Sequence, residues 1–174
     1  MRKDKIKGEI IGKSIISNSK EARDLYSRNR IGEIVKGKVS YSIIEALYLL
    51  ERKRLSLKDD GKKVSFDNLM KKSCRKEKNF FSRYYVYSDL RERGYVVKTA
   101  LKFGADFRVY EKGVKPGESH ALWIVYPVHE TDTLTWQDFS AKNRVAHSTN
   151  KKLLIGIVDE EGDVTYYEIE WKKP

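Results

Sequence analysis

The stretch Arg144-Val-Ala-His-Ser-Thr-Asn-Lys-Lys-Leu-Leu-Ile-Gly-Ile-Val158 decides how the second half of the chain folds. Its first residues close a helix expected from about Trp136 to Ala146 and capped by Thr135, and its last six form an apolar run interrupted only by Gly156. A short apolar run entered from a helix reads as a buried strand. Lys151 stands where the chain enters that strand, which puts an ammonium group at a sheet edge. Alternation sends the side chains of Lys151 and Lys152 to opposite faces, so only one of them can serve a site there.

Working outward, a second strand is expected from Val164 to Trp171, joined to the first by the acidic turn Asp159-Glu-Glu-Gly-Asp163. Upstream, strand signals cover Tyr95 to Thr99, Ala105 to Tyr110 and His120 to Tyr126. A helix from Asn79 to Arg93 precedes them, with Phe80, Tyr84, Tyr87 and Leu90 near helical spacing and Gly94 at its end. Before it, the polar run 71–78 is the expected boundary, giving domains 1–75 and 76–174. In the first domain Lys5 to Ser17 reads as one or two strands, and Asn18 with Glu21 as the cap of a helix over Ser19 to Arg28. Ile31 to Val39 reads as strand or loop. Ser42 with Glu45 forms a capping box opening an apolar helix, Lys58 to Lys63 a solvated turn, and Ser65 to Ser73 a short helix. Two small α/β (α+β) domains result.

The 174 residues carry a formal net charge of +11, spread unevenly. Residues 1–75 hold 20 basic and 10 acidic side chains, whereas residues 153–174 hold 2 and 6. A basic body suits a polyanion partner, and 24 lysines also suit a lysine-rich thermophile surface. The acidic end would repel a polyanion and suits docking on a basic surface. With one cysteine, Cys74, neither an intrachain disulfide nor a multi-cysteine zinc site is possible. No apolar run approaches the ~18 residues of a membrane span, and no apolar segment follows the basic N-terminus, so a soluble, cytoplasmic protein is expected.

Metal chemistry finds little support in the sequence. A carboxylate site of the restriction-enzyme kind could begin at Asp106, but Glu118-Ser119-His120 has histidine where lysine belongs. His120, His129 and His147 share no zinc-ligand spacing, and Lys112 to Gly117 lacks the phosphate-loop pattern. A metal-free route to RNA cleavage remains open, in which the 2′-hydroxyl attacks the adjacent phosphorus. It requires a base, an acid and a cation, roles that Tyr, His and Lys can fill. A tyrosine with a reference pKa of ~10 needs a neighbouring cation to act as the base, while histidine suits an acid near neutrality. Tyr110 ends one strand and His120 opens the next across nine residues containing Pro116 and Gly117, a hairpin that returns its ends to each other. Singly these residues carry little weight, because Tyr110 is one of 11 tyrosines and Lys151 one of 24 lysines.

The run Tyr95-Val-Val-Lys-Thr-Ala-Leu-Lys-Phe-Gly-Ala-Asp-Phe-Arg-Val-Tyr110, then Ser119-His-Ala, then Arg144 to Val158, resembles the archaeal tRNA-splicing endonuclease (tRNA-intron lyase) family. The resemblance covers roughly residues 82–174. The N-terminal half is similar to the family's smaller domain more loosely, through Leu47-Tyr-Leu-Leu50 and the short helix after it. It implies a restriction-endonuclease-like C-terminal domain with a mixed sheet and no metal or other cofactor. It also implies a triad of Tyr110 as general base, His120 as general acid and Lys151 as transition-state stabiliser, and that Lys151 rather than Lys152 faces the site. Arg144 matches a position expected to stack on a bulged RNA base. The implied substrate is precursor tRNA folded as a bulge–helix–bulge, cut to 2′,3′-cyclic phosphate and 5′-hydroxyl ends. The implied assembly is a homotetramer or a heterotetramer with a non-catalytic paralogue, in which Asp159, Glu160, Glu161 and Asp163 dock into a neighbour's basic cleft and the last strand pairs across a two-fold axis. A complete triad marks a catalytic subunit, and the alternative is an RNA-binding or scaffold subunit without turnover. Ala100 departs from the family's frequent Gly. Asn150 departs from its common Arg, removing one phosphate contact.

Overall fold

The computed structural model describes residues 5–12, 14–100, 104–114, 117 and 119–173. It divides into two compact units, Met1–Phe80 and Phe81–Pro174. The expectations that fall on Pro116 and Glu118 lie outside the described residues.

The first unit runs β1 (Ile6–Ile11), β2 (Ser14–Ser17), α1 (Lys20–Asn29), β3 (Glu33–Val35), β4 (Lys38–Tyr41), α2 (Ile43–Glu51), β5 (Leu55–Asp59), β6 (Lys62–Val64) and α3 (Phe66–Lys76). Its mixed sheet has the order β3-β4-β2-β1-β5-β6, with β1 and β5 parallel. The capping box that opens α2 is present. The buried Glu45 carboxylate accepts from the amide and hydroxyl of Ser42 and also from the amide of Gly32, at 2.9, 3.0 and 2.8 Å. One side chain thereby fixes the helix start and the loop before β3.

Three local expectations are corrected. The cap of α1 is Ser19, whose hydroxyl accepts from the Ala22 amide, while Asn18 accepts from the Arg23 guanidinium instead. Lys58 to Lys63 is not a bare turn, because β5 and β6 pair antiparallel across it, Asp59 opposite Lys62. The short helix expected over Ser65 to Ser73 is longer: α3 continues to Lys76, with Leu69 and Ser73 buried and the Ser73 hydroxyl donating to the Leu69 carbonyl at 2.8 Å.

The second unit runs α4 (Phe80–Glu92), β7 (Val96–Thr99), β8 (Phe107–Tyr110), β9 (Trp123–His129), α5 (Trp136–Ser148), β10 (Lys152–Val158) and β11 (Val164–Ile169). The sheet order is β11-β10-β9-β8-β7, with β9 and β10 parallel and the other neighbours antiparallel. A parallel pair needs a crossover, and α5 supplies it. Strand alternation gives the sheet two apolar faces. On one, Ile124, Tyr126, Leu153 and Ile155 pack with Ala146 of α5. On the other, α4 sets Tyr87 against Phe107 and Val86 against Gly156, where a Cβ would fall 2.8 Å from a Val86 methyl. Glycine at 156 is therefore the close-approach point of helix and sheet. Both domains are thus mixed α+β, as the sequence leads one to expect. Among the described residues no helix is long and apolar enough to cross a membrane.

Candidate active site

Sheet order and register bring three residues to one end of the second sheet. β8 finishes, and β9 and β10 begin, at that end. Val109 and Lys152 both lie opposite Trp123. One residue further out, Tyr110 and Lys151 flank Leu122, whose amide donates to Val109 at 2.8 Å and whose carbonyl accepts from the Lys152 amide at 3.1 Å. At the usual strand spacing the Cα atoms of Tyr110 and Lys151 are then about 10 Å apart. Residues in one row share a face, and this row lies two positions from Ile124 and Leu153, so Tyr110 and Lys151 belong to the α5 face. His120 precedes Leu122 by two residues.

Each residue is held differently. Tyr110 is only 6% exposed and packs with Val96, its partner on β7, and with Ala121, which follows His120 directly. His120 is exposed and lies outside any strand. Lys151 owes its position to the end of α5. The amide of Lys151 donates to Ala146 and that of Asn150 to His147, at 2.9 and 3.0 Å, and Asn150 has φ +54°. These two bonds form a Schellman turn with Asn150 in its left-handed position. That gives a backbone reason for asparagine at 150, because it tolerates this conformation where most residues are strained. Helix-terminal Thr-Asn was the sequence signal for this turn.

The two lysines are separated as alternation requires. Lys151 is half-buried and donates to the Thr149 carbonyl at 2.6 Å. Lys152 belongs to the α4 face and pairs with Glu168 at 2.7 Å, and the other Glu168 oxygen accepts from the Trp123 indole at 2.7 Å. The Lys152 ammonium first, and then the Trp123 indole, hold the Glu168 carboxyl below its usual range, and Glu168 in turn raises Lys152.

A groove of about 510 Å³ opens at this sheet end, lined by both Lys151 and Lys152 and by Ala121, Asn143, His147 and Trp171 among others. The rings of His147 and Trp171 lie 4.6 Å apart, and Trp171 is 54% exposed. No spacing or motif in the sequence brings His147 and Trp171 together. Tyr110 and His120 stand at the same sheet end but do not line the groove. Arg144 is exposed on α5 and is likewise absent from its wall. Asp106, the candidate for a first metal ligand, instead pairs with Arg83 of α4 at 2.8 Å.

The comparisons with known proteins agree with this architecture unit by unit. Residues 80–166 match the family model for the tRNA intron endonuclease catalytic C-terminal domain, and residues 6–70 match that for its N-terminal domain. The chain belongs to the tRNA intron endonuclease family. It is 42% identical over 172 residues to the tRNA-splicing endonuclease of Thermococcus onnurineus, covering 98% of this chain and 99% of that one. The protein of the same name from Methanothermobacter thermautotrophicus is 44% identical over 153 residues, covering 88% and 89%. That of Nanoarchaeum equitans is 46% identical over 138 residues, covering 76% and 88%. Family membership makes the chain one of a family of endonucleases.

In the acidic turn, the Asp159 carboxylate accepts from the amides of Glu161 and Asp163 at 3.0 and 2.9 Å. Gly162 has φ +91° and lies so close to the Tyr85 ring of α4 that a Cβ there would clash. One of the four acids therefore holds the turn together, while Glu160, Glu161 and Asp163 are exposed.

Proposed function

We propose that this chain is the catalytic subunit of a tRNA-splicing endonuclease that cuts precursor tRNA at intron–exon junctions folded as a bulge–helix–bulge. Tyr110 takes the proton of the 2′-hydroxyl, whose oxygen attacks the adjacent phosphorus. His120 gives a proton to the departing 5′-oxygen, and the Lys151 ammonium balances the charge that grows on the non-bridging oxygens. The products are a 2′,3′-cyclic phosphate and a 5′-hydroxyl, and no metal takes part. Arg144 stacks on a bulged base. The observation that carries this reading is the row Tyr110–Leu122–Lys151 on one face of one sheet end, with His120 two residues from its centre.

An intron-containing precursor tRNA incubated with the protein in excess EDTA should be cut at both junctions, and the 5′ fragments should carry cyclic phosphate. Activity that disappears with EDTA would remove the metal-free mechanism. RNA binding without product in any metal or at any pH would instead identify a non-catalytic subunit.

We also propose that the acidic turn docks into a basic cleft of a neighbouring subunit, within a homotetramer or a heterotetramer with a non-catalytic paralogue, and that β11 pairs across a two-fold axis. Because Asp159 holds the turn, the informative variant is Glu160→Lys with Glu161→Lys and Asp163→Lys. Light scattering should find dimers of this variant where the parent, with the paralogue if one is needed, forms tetramers. An unchanged mass would refute the docking.

A further inference from the structure

Helix α3 presents Lys71, Lys72, Arg75 and Lys76 on its exposed side, around a concave space of about 480 Å³ that they line with Asn68. The helix is anchored from behind. Leu69 and Ser73 are buried, Cys74 lies against Met70 at 3.8 Å, and α3 packs on α2. The basic face is therefore held in place, and it is not a frayed tail.

Its charge pattern is unfavourable for the helix itself. Lys71 with Arg75, and Lys72 with Lys76, are like charges at i,i+4, a spacing that destabilises a helix and that acids usually relieve. The only acid on α3 is Asp67 in its first turn. Attraction to the helix C-terminus accounts for Arg75 and Lys76, which lie in the last turn, and not for Lys71 and Lys72. None of the four forms an ion pair with a described residue. Two rows of cations spaced one turn apart, about 5.4 Å, match a ligand whose negative charge repeats along its length.

We propose that this face of α3 binds the sugar–phosphate backbone of the RNA substrate, as a sequence-independent contact made separately from the catalytic residues. The proposal rests on the reading of the substrate as precursor tRNA. A nucleic-acid backbone carries such a repeating charge, and each cation that neutralises a phosphate releases a counterion. The contact accordingly strengthens binding in a salt-dependent way and leaves the chemical step alone.

The test replaces all four cations with Gln, a good helix former. Binding of an intron-containing precursor tRNA is measured from 50 to 200 mM salt, with single-turnover cleavage at saturating protein and mass by light scattering. A matched control replaces Lys7, Lys20, Lys38 and Lys58, four exposed lysines of the same unit, with Gln. The slope of log affinity against log salt should shrink by about three in the α3 variant, and by much less in the control. The cleavage rate and the mass should match the parent. The pair Lys71→Gln with Arg75→Gln, a milder change, should shrink the slope by about half as much. An unchanged slope, or an equal loss in the control, would overturn the proposal. A changed mass would overturn it in favour of an acidic protein partner on this face. If the parent binds precursor tRNA and never cuts it, the catalytic reading fails while the slope still decides this one.

Discussion

A His120→Ala variant is expected to bind precursor tRNA as the parent does and to cut it about 10²- to 10⁴-fold more slowly, the range contributed by a positioned general acid. His120 is exposed and lies in no strand, so its removal leaves no cavity and the melting temperature should stay put. Tyr110 is different. It is buried against Val96 and Ala121, and truncating it would combine lost packing with lost chemistry. Single-turnover cleavage with a parallel thermal melt checks the His120 prediction. A second substrate separates the acid from other roles. When the leaving 5′-oxygen is replaced by sulfur, the thiolate departs without needing a proton. His120→Ala should cut that substrate at close to the parent's rate. A variant equally slow on both substrates would mean that His120 does not donate the proton.

Much of the second unit could be read locally because its signals are local. Thr135 caps α5, an apolar run marks β10, and both hold in the structure. The first unit was harder for physical reasons. In β5 only Leu55 and Leu57 are buried, so the inward-facing signal is two residues long and the polar turn beyond it dominates. Lys71, Lys72, Arg75 and Lys76 are charged because they face solvent at the end of a helix, and composition alone cannot tell such a helix end from a domain boundary. At α1 both Asn18 and Ser19 are good caps, and the competition is settled by which oxygen reaches an orphan amide. The site has the same division. The order Tyr110, His120, Lys151 and the hairpin joining the first two are visible in the sequence, but the approach of Lys151 to Tyr110 depends on the β9–β10 pairing across α5. The antiparallel β8–β9 register and the parallel β9–β10 register, which no local pattern encodes, set Tyr110 and Lys151 on either side of Leu122.

The sharpest separation of chemistry from scaffold comes from two adjacent residues. Lys151→Ala is expected to lower the single-turnover rate by about 10²- to 10³-fold, the scale seen when one preorganised donor to a developing oxyanion is removed. Lys152→Ala should leave that rate close to the parent's. Both lose one ammonium group from the same strand entrance, so any effect of overall charge on RNA binding is common to the two. They differ in face. Lys151 lies on the α5 side in the row with Tyr110, where the Schellman turn fixes its backbone. Lys152 lies on the α4 side, its ammonium held by Glu168. That pair is exposed on both partners, so its loss should disturb stability little. It also predicts a small pH effect with a definite sign. The Glu168 carboxyl is held below its usual range, so the pair supports the fold above the ordinary glutamate pKa, and the support fades as pH falls through the lowered value. Lys151→Arg sharpens the comparison, because it keeps the charge but swaps a compact ammonium for a planar fork, and should recover part of the rate. Equal rate losses in Lys151→Ala and Lys152→Ala would place the lysine contribution in RNA binding and leave the stabilising role unfilled.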